Sequence, residues 1–162
     1  MLEMSEELLQ RIREHGARAY PNECCGALLG RAEPDPARPA RLPGGQAGGC
    51  KRVLDLMPLD NRRHGEAART RFLVTADDYR LAEQTARNRQ LEILGFYHSH
   101  PDHPARPSEF DREHALPWYS YIVVRVTQGQ LQEATSWVLA EDRSRFNPEP
   151  IVAPAPVKST EP

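Results

Sequence analysis

The chain has 162 residues and a mass of 18.3 kDa, enough for one domain with a core of its own. Its formal net charge of −2 and pI near 6.3 give no basic footprint, which argues against nucleic acid as a partner. No run of 18 apolar residues occurs and the N-terminus is acidic and amphipathic, so neither a membrane span nor a signal peptide is expected. Three cysteines, two of them adjacent at Cys24 and Cys25, form no disulfide framework and predict a reducing, cytoplasmic setting.

Ser5 stands where a helix N-cap belongs, ahead of Leu8, Leu9 and Ile12 at helical spacing, with Gly16 marking the end. A short apolar strand, Cys25 to Gly30, follows Glu23. Residues 31–50 hold four prolines and four glycines and read as a loop excursion leading into a second strand, Lys51 to Leu59. Thr75 opens a helix to about Gln90, with Tyr79, Ala82 and Ala86 on one face. Ile93 to His98 reads as a buried strand. Pro101, Pro104 and Pro107 then turn the chain toward a helix capped by Ser108. Tyr119 to Val126 and Glu133 to Ala140 read as a hairpin turning around Gln128-Gly129-Gln130. From Asn147 the chain holds five prolines and little apolar mass, so residues 147–162 are expected to be disordered and 1–146 to be the domain. The expected class is α/β, a mixed central sheet flanked by helices.

The chemistry concentrates around His98. Side chains at i and i+2 of a strand share a face, so His98 and His100 point at one spot. Asp111 falls in the first turn of the Ser108 helix, placed to swing back toward them. Three such ligands leave a fourth tetrahedral position open, the layout of a catalytic zinc site rather than a closed structural one. Zinc lowers the pKa of bound water to about 7, but a base must still move the proton. Glu23, at a strand mouth, is the candidate.

Each residue also has a plainer reading. A His-x-His pair is often two half-exposed histidines, and Glu23 alone would be a solvated acid. A serine N-cap and an acid at a helix N-terminus each stabilise by about 0.5–1 kcal/mol with no metal involved. His103 and His114 fit no ligand spacing and read as surface or loop residues, His103 beside the cleft. Of Cys24 and Cys25, one reads as a small buried hydrophobe and the other as incidental. Trp118 and Trp137 read as packing residues.

The pattern Glu23-x-Cys25-Gly26-x-Leu28-x-Gly30, then His98-Ser99-His100-Pro101 and Ser108-x-x-Asp111, resembles the JAMM (MPN-plus) metalloprotease family. Asn61, Arg71-Phe72 and the strand Tyr119 to Val126 extend the resemblance to roughly residues 5 to 142. It implies a cytidine-deaminase-like architecture, one Zn2+ held by His98, His100 and Asp111, Glu23 as general acid and base, and Ser108 helping to hold the oxyanion. The zinc nucleobase deaminases themselves are excluded by the absence of His-x-Glu and Pro-Cys-x-x-Cys.

The family's substrates end in Gly-Gly from a ubiquitin-like fold. Only seven residues, Arg112 to Trp118, separate Asp111 from the next strand, a compactness that resembles the prokaryotic branch. That implies a ubiquitin-like sulfur carrier as substrate, in precursor processing or in release of cysteine from an adduct. A ubiquitin-type isopeptidase and a metal-free MPN scaffold are the alternatives. With no large insertion near the site, no pocket for a side chain beside the scissile bond is expected.

Overall fold

The computed structural model describes residues 1–33, 49–71 and 74–155. In chain order the elements are β1 (Leu2–Glu3), α1 (Glu6–Ala19), β2 (Cys25–Glu33), β3 (Cys50–Leu59), a 3-10 turn (Gly65–Arg69), α2 (Ala76–Asn88), β4 (Glu92–Pro101), α3 (Glu109–His114), β5 (Ser120–Thr127), β6 (Gln130–Leu139), β7 (Phe146–Glu149) and β8 (Ile151–Val152). Eight strands form one mixed sheet in the order β7-β6-β5-β4-β2-β3-β1-β8. The central strand β4 runs antiparallel to β2 and parallel to β5.

The two ends of that order are consecutive in the chain. Only Pro150 separates β7, paired to β6, from β8, paired to β1, so the edges of the sheet meet at the C-terminal segment. This corrects the expectation of disorder from Asn147. Proline is excluded from central strands because it lacks an N–H, but an edge strand can accept hydrogen bonds without donating. Here Leu2 N donates to Pro150 O at 3.0 Å and Met4 N to Val152 O at 2.9 Å. Residues 156–162, and 34–48 of the proline- and glycine-rich stretch, lie outside the described residues.

The sheet carries a helix on each face. On one, α1 buries Leu8 and Ile12 against Leu28, Val53, Tyr97 and Val124. Ser5 caps it, its side chain accepting from Leu8 N at 3.3 Å. Gly16 does not end this helix. A Cβ there would stand 3.0 Å from the Val126 side chain, so the glycine serves close packing on β5 and the helix runs on to Ala19. On the other face α2 lays Ala82 and Ala86 against Ala27, Leu29 and Ile93. It begins at a reciprocal cap between Thr75 and Asp78. Gly26 is required by Tyr97, whose ring would lie 2.3 Å from any Cβ added there. That ring crosses the strand so that its hydroxyl meets His15 Nδ1 of α1 at 2.9 Å.

Candidate metal centre

Strand pairing aligns the motifs. Cys25 stands opposite His98, Ser99 N donates to Cys24 O at 3.0 Å, and Cys24 N donates to Ser99 Oγ at 2.8 Å. Continuing that register puts Glu23 beside His100. Because side chains alternate, Glu23, His98 and His100 project on the α2 face, just beyond the end of the helix's cover, while Tyr97 and Ser99 project on the α1 face. The α3 segment then brings in Asp111.

Three donor atoms converge. His98 Nε2 and His100 Nε2 are 3.0 Å apart, and Asp111 Oδ2 lies 3.3 Å from the first and 3.4 Å from the second. Ligands about 2.0–2.1 Å from a tetrahedral ion such as zinc are separated by about 3.3 Å, so this triangle has the dimensions of one face of such a shell. The three side chains are only 2%, 8% and 8% exposed. His98, His100 and Asp111 can therefore hold a metal ion. His100 Nδ1 lies 2.8 Å from Pro104 O, which fixes Nδ1 as the protonated nitrogen and frees Nε2 as a ligand. Asp111 is held by Ser108, whose backbone N and Oγ both donate to Oδ2, at 2.6 and 2.8 Å. Asp111 N donates back to Ser108 Oγ at 3.1 Å. The N-cap reading and the ligand reading of Ser108 and Asp111 are thus one arrangement.

The electrostatics of the cluster favour a cation. Burial pushes the Asp111 carboxyl up, but the neighbouring His98 charge and hydrogen bonds from His100, His98 and Ser108 outweigh it and hold the carboxyl well below the usual range. Burial pushes His100 down, and bonding to Asp111 and to Pro104 O reverses the sign, so the imidazole holds its proton more tightly than usual. Glu23 behaves oppositely. It is 4% exposed, no hydrogen bond reaches its carboxylate among the described residues, and burial pushes it up to about 8, with His100 opposing and Asp111 adding.

Asn61 positions Glu23. Its Nδ2 donates to Glu23 O and to Arg71 O, both at 3.1 Å, tying the acid's backbone to the loop after β3. Phe72, named with Arg71 in the sequence pattern, lies outside the described residues. Cys24 and Cys25 are both buried, on opposite faces, and burial raises both thiols, Cys24 to about 11. Neither is a nucleophile or a ligand in this arrangement. His103 and His114 are exposed. His114, rather than His103, lines a cavity at the site.

That cavity corrects the expectation that no pocket adjoins the site. It measures about 310 Å³ and shares His98 and Asp111 with the metal centre, and Tyr79, Phe96, Phe110, Leu116 and Tyr121 form its apolar wall. No insertion builds it. The end of α2, strands β4 and β5 and the short α3 each contribute one or two rings, a convergence no single stretch of sequence displays.

Comparisons with known proteins agree with this architecture. A family model described as prokaryotic homologs of the JAB domain matches residues 5–140. The tail tip assembly protein K of Escherichia phage N15 is 26% identical over 133 residues, covering 80% of this chain and 43% of that protein. The chain thus spans less than half the length of that relative. Among solved structures, a protein from Salinibacter ruber is 43% identical with a TM-score of 0.67, over 96% of this chain and 93% of the other. One from Desulfitobacterium hafniense is 24% identical with a TM-score of 0.75, over 95% and 93%. A JAB1/MPN domain protein from Archaeoglobus fulgidus is 16% identical with a TM-score of 0.51, over 93% and 97%. The last two are similar in fold. No helix among the described residues is long and apolar enough to cross a membrane.

Proposed function

The chain belongs to the prokaryotic JAB-domain family, and from that membership and the site's geometry we propose that it is a zinc metallopeptidase. Its reaction is hydrolysis of a peptide or isopeptide bond after the Gly-Gly tail of a ubiquitin-like protein, a sulfur carrier in precursor processing or cysteine release. The observation that carries the reading is the triangle of His98, His100 and Asp111 donors beside a buried Glu23 whose carboxylate no hydrogen bond reaches among the described residues. Zinc held by those three residues would polarise the scissile carbonyl and acidify the attacking water. Glu23 takes that water's proton and delivers it to the leaving nitrogen as the C–N bond breaks and the water oxygen bonds to the glycyl carbon. In the metal-free site burial favours the protonated carboxyl, and a bound cation beside it would shift it back toward the ionised form that accepts the water's proton. Ser108, exposed at the rim, turns its hydroxyl from Asp111 toward the developing oxyanion.

The test compares a zinc-loaded sample on three substrates by mass spectrometry: an intact carrier extended beyond Gly-Gly, its tail peptide alone, and a carrier with the last glycine replaced by alanine. Contacts remote from the scissile bond position the tail, so the intact carrier is expected to turn over fastest. Equal rates on all three would refute carrier recognition. A second reading, a non-catalytic assembly module, draws on the name of the phage relative. It predicts protein that purifies without stoichiometric zinc and cleaves none of the three.

A further inference from the structure

The apolar pocket against His98 and Asp111 has no occupant in a tail that ends in glycine. At about 310 Å³ it lies at the small end of ligand pockets, which run about 300–1,000 Å³, and it suits one residue rather than a folded surface. The tyrosine hydroxyls in its wall are engaged elsewhere. Tyr79 OH meets Tyr119 OH at 2.7 Å, and Tyr121 OH accepts from Leu116 N at 2.7 Å, so both residues offer ring surface to the cavity. His114 Nδ1 lies 2.8 Å from Phe110 O. Arg63 differs. It lines the same pocket, and among the described residues no carboxylate lies within ion-pair distance of its guanidinium, whereas the adjacent Arg62 is paired to Asp78 at 2.8 Å. A guanidinium on the wall of a cavity with no carboxylate beside it is a ready partner for an anionic ligand group.

We propose that this pocket binds the leaving amino acid, a single residue with a large apolar side chain whose free α-carboxylate is taken by Arg63. The inference rests on the Gly-Gly reading above, and within it on precursor processing rather than cysteine release, because a glycine on the acyl side leaves only the departing residue to fill an apolar cavity beside the metal donors. In one amino acid the scissile nitrogen, the side chain and the carboxylate diverge from a single Cα. With the nitrogen at the metal centre, the other two groups fall within a few ångströms of it, and His98, Asp111, the ring wall and Arg63 all line that one cavity. A longer leaving chain would present a neutral amide to Arg63, and charge-assisted bonds are about twice as strong as neutral ones. An acidic side chain would be desolvated against aromatic carbon and beside Asp111. Arg63 is thus a specificity-determining residue.

The experiment uses zinc-loaded protein and a carrier extended after Gly-Gly by one residue: leucine, phenylalanine, alanine, aspartate or leucinamide. Leucine and phenylalanine are expected to leave fastest, aspartate slowest, and leucine to exceed its amide by about tenfold or more. Arg63→Gln should bring the acid-over-amide ratio close to one by slowing the acid far more than the amide, and Arg63→Lys should restore part of the ratio. Leu116 is 52% exposed, so Leu116→Asp should fold, retain zinc and lose the preference for leucine. A parallel NMR titration with free L-leucine and with L-leucinamide reads binding without turnover, and only leucine should shift the Phe96 and Tyr121 ring signals. Leucine binding with no cleavage of any Gly-Gly substrate would support the pocket and remove the Gly-Gly reading. Cleavage at one rate for every residue, with no leucine binding, would overturn the pocket and keep that reading. An unchanged acid-over-amide ratio in Arg63→Gln would overturn the role of Arg63.

Discussion

The two ends of the central sheet both bury charge, and they do it in opposite ways. At the start of β3, Lys51 is 8% exposed, and its Nζ donates to the carbonyl of Trp118 and to Ser120 Oγ, with the Trp118 ring 4.6 Å below. Every direction open to that ammonium meets a fixed acceptor or a π face, so it stitches β3 to the start of β5. At the other end of the same strands Glu23 is 4% exposed, and no hydrogen bond reaches its carboxylate among the described residues. A buried charge with fixed partners is structural cement, whereas one without them is strongly perturbed and ready to exchange a proton. The difference sets the β4 terminus apart from the rest of the sheet more sharply than burial alone.

Breaking the metal end should have the largest effects. His98→Ala or Asp111→Ala removes one of three donors, the usual minimum for a catalytic site, and is expected to strip zinc and abolish hydrolysis, read by elemental analysis and carrier cleavage. Full zinc occupancy in Asp111→Ala would remove Asp111 from the ligand set. Glu23→Gln should keep zinc and lose activity by about 10²- to 10⁴-fold, since the amide keeps the shape and cannot shuttle a proton. A variant within about threefold of the parent would take the proton role away from Glu23. Asn61→Ala comes next. It frees the backbone carbonyl of Glu23 without touching its carboxylate, so we expect about tenfold lower kcat with zinc content unchanged.

How much of this was visible in the sequence follows from how local each feature is. His98 and His100 are fixed by strand alternation, and Asp111 by its place three residues after a cap, so a few adjacent residues encode the donor triangle. Glu23 needs the pairing of β2 with β4, which only the resemblance supplied. The closing strands were missed because Phe146, Ile151 and Val152 carry too little apolar mass to signal a strand. Their pairing depends on partners at β6 and β1, far away in sequence. The ring-lined pocket escaped for the same reason, its wall being assembled from four elements. Gly16 misled because a glycine that ends a helix and one that packs against a neighbour look alike in one dimension.

The smallest effect, and the one that tests the contrast most directly, is the pH dependence of stability. Burial raises the folded pKa of Glu23 from 4.5 to about 8, so the folded state of the metal-free protein binds the extra proton and stability falls as pH rises across that window. Burial lowers Lys51 from 10.5 to about 8, with Glu149 opposing, so between those values the unfolded state binds the extra proton and stability rises with pH. The two arms meet, giving metal-free protein a minimum in melting temperature near pH 8, with the rise above it limited from about pH 9, where the buried thiols of Cys24 and Cys25 keep protons that the unfolded chain loses. A zinc ion held by His98, His100 and Asp111 would be a cation beside Glu23 and at the opposite end of the strands from Lys51, so loading it should pull the falling arm to lower pH and leave the rising arm in place. Glu23→Gln should flatten the first arm alone. Lys51→Met should flatten the second alone, with zinc content unchanged and carrier cleavage within about twofold, as expected for distant sites. Melting curves from about pH 5 to about 10, with and without zinc, read all of these. If zinc moved both arms, or if Lys51→Met impaired cleavage as strongly as Asn61→Ala, the two ends of the sheet would be one coupled system rather than a site and its support.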